Sequence, residues 1–151
     1  ESNPVEIELQ YQNAPVPISI VEIPSANPRN YYQALHHLDQ APLVTLTGQL
    51  AVPPIQGLAP CVILVPGSAG ITDAHAATAQ TLVDSGIAVL IVDPFGARAV
   101  VSTAADQTQF SLAASALDVL RAFEVARNHP AIDGSRIAAQ GTSRGGFAVV
   151  T

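Results

Sequence analysis

The residues best placed to do chemistry lie in Gly141-Thr142-Ser143-Arg144-Gly145, a serine with a glycine two positions away on each side. That spacing suits a tight strand-to-helix turn that lifts a serine hydroxyl into the open as a nucleophile. Gly141 and Gly145 would give the turn room, because a Cβ at either place would crowd neighbouring backbone, and Gly146 adds a third small position. A helix starting there would point its N-terminus at Ser143 and favour developing negative charge. A second candidate segment is Val65-Pro66-Gly67-Ser68-Ala69-Gly70. Attack on a carbonyl creates an oxyanion that needs N–H donors, and the backbone N–H groups of Ser68 and Arg144 are the candidates for that oxyanion hole. A glycine turn without catalysis is the plain alternative for each segment. Position separates the readings for Ser143: its motif directly follows a short strand pattern, Arg136 to Gln140, and precedes an apolar segment starting at Phe147.

The elements that would position these residues follow from hydropathy. Val44 to Val52 alternates and ends at Pro53-Pro54, as a strand would. Cys61 to Val65 and Ile87 to Val92 are continuous apolar runs, expected as buried strands. Asp73 is expected to cap a helix running to about Ser85, with Gly86 as its stop. A longer helix is expected over Gln109 to Asn128, with Ala113, Ala116, Leu117, Leu120 and Phe123 on one face. Asp133-Gly134 reads as a turn. The alternation of strands and helices predicts an α/β fold with a mostly parallel sheet and helices on both faces. Residues 1–42 read as an irregular N-terminal region. Val5 to Leu9 and Ile18 to Ile20 are short strands in it, at edge positions suggested by nearby prolines, and Arg29 to Gln40 is a short helix. Residues 43–151 read as the N-terminal portion of the core, stopping after the serine turn.

Pro66-Gly67-Ser68-Ala69-Gly70, Asp93-Pro94-Phe95-Gly96-Ala97-Arg98 and Ile132-Asp133-Gly134-Ser135-Arg136-Ile137, leading into Gly141 to Gly146, resemble the dienelactone-hydrolase-like branch of the α/β-hydrolases. The resemblance runs from about Val44 to the end and implies a metal-free hydrolase of esters or lactones with a Ser/Cys-His-Asp triad. The namesake enzymes use a cysteine nucleophile, so Ser143 shifts the expectation towards a general carboxylesterase. Pro66 stands where many relatives have histidine.

The family order is nucleophile, acid, then histidine. Only Arg144 to Thr151 follow Ser143, and they contain no Asp, Glu or His. A serine hydroxyl needs an adjacent base. The expectation is therefore an α/β-hydrolase fold incomplete at its C-terminus, with triad acid and histidine in the remaining C-terminal part, and no activity from this segment alone. Among upstream histidines His75 lies nearest by fold position, but it, like His36, His37 and His129, is expected as an exposed or capping residue rather than as the base. Asp93 is expected to structure its loop. Arg144 has two readings beyond its N–H: a structural ion pair, or the less common grip on a substrate carboxylate. Tyr31 and Tyr32 would line a pocket mouth or pack in the core.

Composition narrows the partners. Of 151 residues, 48% are hydrophobic and 12% charged, which fits a packed domain with a doubly covered sheet. The net charge is −6 and all six basic residues are arginines without a cluster, so nucleic acid is not an expected partner. No apolar run approaches the ~20 residues of a membrane span. No cofactor is called for, and no histidine has carboxylate or cysteine neighbours at metal-ligand spacing. The single cysteine, Cys61, is expected to be a buried thiol. The sequence starts at Glu1 and has no methionine, so a removed natural start is expected. A cleaved export signal leans localisation towards secreted or periplasmic, though choice of the expressed segment also accounts for it. The expected function is hydrolysis of a small carboxylic ester or lactone through an acyl-enzyme. Two rivals are a non-catalytic binding module on the same fold and, less favoured, a dinucleotide-binding βαβ unit, whose G-x-G-x-x-G pattern Gly67 and Gly70 do not complete.

Overall fold

Short two-sided apolar runs can satisfy both their side chains and their backbone only inside a covered sheet, and they set this architecture. The computed structural model describes residues 6–151. Leu9–Tyr11 (β1) and Ala14–Val16 (β2) form an antiparallel hairpin, turned by Gln12 and Asn13, both at positive φ. Ile18–Ala26 (β3) leads through Tyr31–His36 (α1) and a 3-10 turn at Leu38–Gln40 into Leu43–Ala51 (β4). Then follow Ala59–Val65 (β5), Asp73–Asp84 (α2), Ala88–Asp93 (β6), a 3-10 turn at Gly96–Arg98, Leu112–Arg127 (α3), Ile132–Gly141 (β7) and Arg144–Val150 (α4).

The main sheet has the order β3-β4-β6-β5-β7. β4 runs antiparallel to both β3 and β6, whereas β5 is parallel to β6 and β7. The sheet is thus mixed rather than mostly parallel: β4 runs against both of its neighbours, whereas the crossovers through α2 and α3 bring β6 and β7 parallel to β5. Helices do cover both faces. Cys61, Ile63, Val65, Leu90 and Val92 pack with Val119, Ala122 and Ala126 of α3 and Ala148 of α4. The alternate residues Leu64, Val89 and Ile91 pack with Ala79 and Val83 of α2 and with Leu9 and Val16 of the hairpin. Among the described residues no helix is long and apolar enough to cross a membrane.

Several local expectations need correction. β3 is a nine-residue strand rather than a three-residue one, paired from Ile18↔Ala51 to Ala26↔Leu43. Pro24 does not interrupt it because β3 is an edge strand, where a missing N–H breaks no ladder on the open side. The alternation from Val5 becomes a strand only at Leu9, and Val5 lies outside the described residues. β7 starts at Ile132 and absorbs Asp133-Gly134, with an irregularity opposite Ala59 to Cys61. α3 starts later than Gln109 because the Ser111 hydroxyl accepts from the Ala114 N–H and caps it. Of its expected face, Ala113 and Leu117 are buried and Phe123 packs against the core, but Leu120 is 62% exposed, and the buried face extends instead over Ser115, Asp118, Val119 and Ala122.

The cap of α2 is Thr72, not Asp73. Thr72 and His75 form a reciprocal capping box in which His75 Nδ1 accepts from the Thr72 N–H at 3.0 Å. That nitrogen must be unprotonated to accept, and burial lowers the imidazole from its ordinary 6.5. Because the folded pKa is depressed, the contribution of the cap is complete above 6.5 and is lost as pH falls from there through the folded value. An NMR titration should place His75 below 6.5, and amide protection factors in the first turn of α2, taken relative to the intrinsic exchange rate at each pH, should be lower at pH 5 than at pH 7.5; titration above 6.5 would contradict the assigned acceptor role.

Candidate active site

The chain reverses its direction of travel across the sheet at β5. After β5 the helix α2 crosses on one face, and after β7 the helix α4 lies on the other. β5 and β7 stay paired up to Val65↔Gly141, and the chain then leaves them towards opposite faces, the switch point at which open α/β sheets form their ligand crevice. The Pro66–Gly70 loop leaves one side and the Ser143 turn the other.

The serine turn is held by close backbone contacts. The Thr142 N–H donates to Val65 O at 3.3 Å, and the Gly145 N–H closes onto Thr142 O at 2.9 Å. A Cβ on Gly141 would come within 2.1 Å of Gly145 O, and one on Gly145 within 2.3 Å of Val65 O. Only glycine fits either place. Gly146 is less demanding, with its nearest contact at 3.4 Å. Ser143 itself has φ +52 and ψ −117, a conformation that L-residues adopt only under constraint from the surrounding structure. Its side chain is exposed. Behind the turn only about 10 Å³ of free space remains, among residues that include Pro66, Phe110, Asp118 and Arg144.

Gly67 brings the other loop against the serine. A Cβ there would lie 3.0 Å from Thr142 O and 3.3 Å from Ser143 Cβ. In an ester-cleaving enzyme built on this turn, Gly67→Ala would push the turn outward and lower turnover by roughly 10-fold or more, since small displacements of reacting groups carry large rate penalties. Steady-state kinetics on the full-length protein measure this, and unchanged kcat/KM would show that the contact is not critical.

Ser68 and Arg144, the two sequence candidates for the oxyanion hole, flank this crevice from opposite loops. Among the described residues neither backbone N–H is taken by an acceptor. The Arg144 side chain forms no ion pair and does not open to the crevice. Only 5% exposed, it donates through Nη1 to Gln107 O and Oε1, both at 3.0 Å, and through Nη2 to Phe110 O at 2.7 Å and Ser111 O at 3.3 Å. Both the ion-pair and the substrate-carboxylate readings of this guanidinium give way to a clamp on backbone carbonyls. Its Nε is buried without a partner.

No upstream histidine reaches Ser143 by a hydrogen bond among the described residues. His75 is engaged at the α2 cap. His129 accepts from the Ala131 N–H at 3.2 Å, just before β7. The ten residues of β7 separate it from the serine by roughly 30 Å. His36 and His37 stack near Tyr32, at 4.8 and 5.5 Å. Tyr31 and Tyr32 are 41% and 66% exposed, so neither is core, and the Tyr31 hydroxyl meets Thr151 Oγ1 at 3.2 Å. Asp93 structures its loop by accepting from the N–H groups of Phe95 and Gly96. Cys61 is buried, and desolvation pushes its thiol up to about 12, so it is no nucleophile. No cluster of three or more metal-ligating side chains occurs among the described residues.

One buried group had no sequence signal. Asp118, on α3, accepts from Arg98 Nη1 at 2.6 Å and Nη2 at 2.9 Å, and from Ser25 Oγ at 2.6 Å. Arg98 also reaches Asn27 Oδ1 and Pro94 O. The pair joins β3, the loop after β6 and α3 beneath the crevice. Its two side chains are 4% and 2% exposed. Burial pushes the Asp118 carboxyl up, opposed by its bonds from Arg98 and Ser25.

No protein-family model matches this sequence, and no curated protein matches it. Solved structures do. A dienelactone hydrolase from Anabaena variabilis is 19% identical with a TM-score of 0.63, over 89% of this chain and 55% of its own. A dienelactone hydrolase-like promiscuous phosphotriesterase from metagenomic libraries is 20% identical with a TM-score of 0.59, over 88% of this chain and 52% of its own. A hyperthermophilic esterase from the archaeon Pyrobaculum calidifontis is 20% identical with a TM-score of 0.53, over 88% and 37% respectively. The chain therefore has the α/β-hydrolase fold, across about half the length of the dienelactone hydrolase-like proteins that it resembles.

Proposed function

We propose that the complete protein is a serine hydrolase that cleaves small carboxylic esters or lactones through an acyl-enzyme, with Ser143 as nucleophile. The observation that carries this reading is the strained, exposed Ser143 on a turn that admits only glycine at Gly141 and Gly145, at the switch point of the sheet. Strain of that kind persists where function requires it. Ser143 Oγ attacks the carbonyl carbon while a histidine from a C-terminal segment beyond Thr151 takes its proton and an acidic residue orients that histidine. The N–H groups of Ser68 and Arg144 receive the oxyanion. Collapse expels the alcohol, which takes the proton back from the histidine, and water then releases the acid and restores the serine. Residues 1–151 alone are expected to be inactive, since no base or acid is bonded to Ser143 among the described residues.

The experiment is turnover of neutral p-nitrophenyl esters by the full-length protein, alongside titration with a dinucleotide. Ester turnover with no dinucleotide binding is the expected result. Dinucleotide binding without turnover would overturn the reading in favour of a nucleotide-binding unit, and neither activity would leave a binding module on a hydrolase scaffold.

A further inference from the structure

We propose that Gln107, in the loop between β6 and α3, is a positioning residue that ties together the two sides of the oxyanion hole. This role rests on the hydrolase reading of Ser143. The Gln107 carboxamide faces both candidate donor residues at once. Its Nε2 donates to Ser68 Oγ at 2.8 Å, and its Oε1 accepts from Arg144 Nη1 at 3.0 Å. The Gln107 main-chain oxygen accepts from the same Nη1 at 3.0 Å. Ser68 belongs to the loop after β5 and Arg144 to the start of α4, and among the described residues no other side chain bonds to both.

The surrounding loop is built to hold that carboxamide still. The Ser102 hydroxyl and the Thr103 N–H both donate to Ser68 O, at 2.8 and 2.9 Å. The guanidinium carbons of Arg98 and Arg144 lie 4.5 and 4.4 Å from the centroid of the Phe110 ring, anchoring the far end of the loop. An oxyanion hole works only when its donors sit within about 2.7–3.1 Å of the position the oxygen will occupy, so the separation of two donors on different loops must be fixed in advance. A carboxamide suits this task because it offers a donor and an acceptor in one rigid plane. Gln107 is itself exposed and contributes little to the core, so its contribution is geometric.

The test compares wild type, Gln107→Leu and Gln107→Glu in the full-length protein. Readouts are steady-state ester kinetics, inhibition by an alkyl boronic acid that mimics the tetrahedral intermediate, and thermal unfolding. Leucine removes both side-chain bonds, and kcat should fall about 10- to 100-fold, below the loss for deleting a donor outright. KM should stay nearly constant, boronate affinity should fall with kcat/KM, and the unfolding midpoint should barely move. Glutamate still accepts from Arg144 but loses the donor to Ser68 and sets a negative charge beside the developing oxyanion, so kcat should fall at least as far as with leucine. Ser68→Ala cuts the same bridge from the other side, and adding Gln107→Leu to it should cost little more. Wild-type kcat in Gln107→Leu, a rise in KM with unchanged boronate affinity, or wild-type kcat in Gln107→Glu would each overturn the positioning role while leaving the hydrolase reading intact. A wild-type protein inert to esters and to boronate would overturn both.

Discussion

Ser143→Ala in the full-length protein is expected to abolish ester turnover, with kcat lower by about 10⁴-fold or more, as for removal of the nucleophile in other serine hydrolases. The folded structure should survive the change. Alanine keeps the Cβ, and the Ser143 hydroxyl gives α4 no capping hydrogen bond that would be lost. Neither N–H of the candidate oxyanion hole belongs to the replaced side chain, so ground-state binding should persist and KM should change little. Paired kinetics and thermal unfolding measure this directly. Turnover retained within a few-fold would mean that another residue attacks the substrate.

Asp118→Ala is expected to have the largest effect on stability, a loss of about 3–5 kcal/mol, because it leaves the Arg98 guanidinium buried without its countercharge. The carboxylate satisfies Arg98 twice and Ser25 once, and all three groups would lose a partner together. A loss of that size is a large fraction of the stability of an ordinary domain. The double replacement Arg98→Met with Asp118→Leu should be far milder, since removing both partners leaves no unpaired charge. Denaturant titration of wild type, single and double variants distinguishes these outcomes. A single variant within about 1 kcal/mol of wild type would show that the pair is not the lock between β3 and α3.

The same aspartate shows why part of the fold was hidden in the sequence. A helical periodicity that counts only apolar residues put Leu120 on the buried face of α3, yet Leu120 is 62% exposed and Asp118 is 1% exposed. The buried face is centred on a paired charge whose partner lies twenty residues earlier, and no local pattern carries that pairing. β5 and β6, by contrast, were plain because their apolar runs leave no alternative to a doubly covered strand. Their neighbours were not plain: the insertion of β6 between β4 and β5 depends on how crossovers pack, not on the strands themselves. At the site, Ser143 and its glycines stood out because the turn is a local object with strict spacing. Gln107 did not, because it lies in a polar loop where a bridging carboxamide has the same appearance as a solvated one. Thr72 was missed for a related reason, since the partner that completes its capping box is a histidine rather than the usual Glu or Gln.

The central claim, that Ser143 is an activated nucleophile, is tested most directly by reacting the full-length protein with a fluorophosphonate and mapping the adduct by peptide mass spectrometry. One phosphonylated residue, Ser143, is expected, formed in step with the loss of ester turnover and absent from Ser143→Ala. Loss of turnover with the adduct on a different residue, or full ester turnover with Ser143 unmodified at saturating reagent, would contradict it.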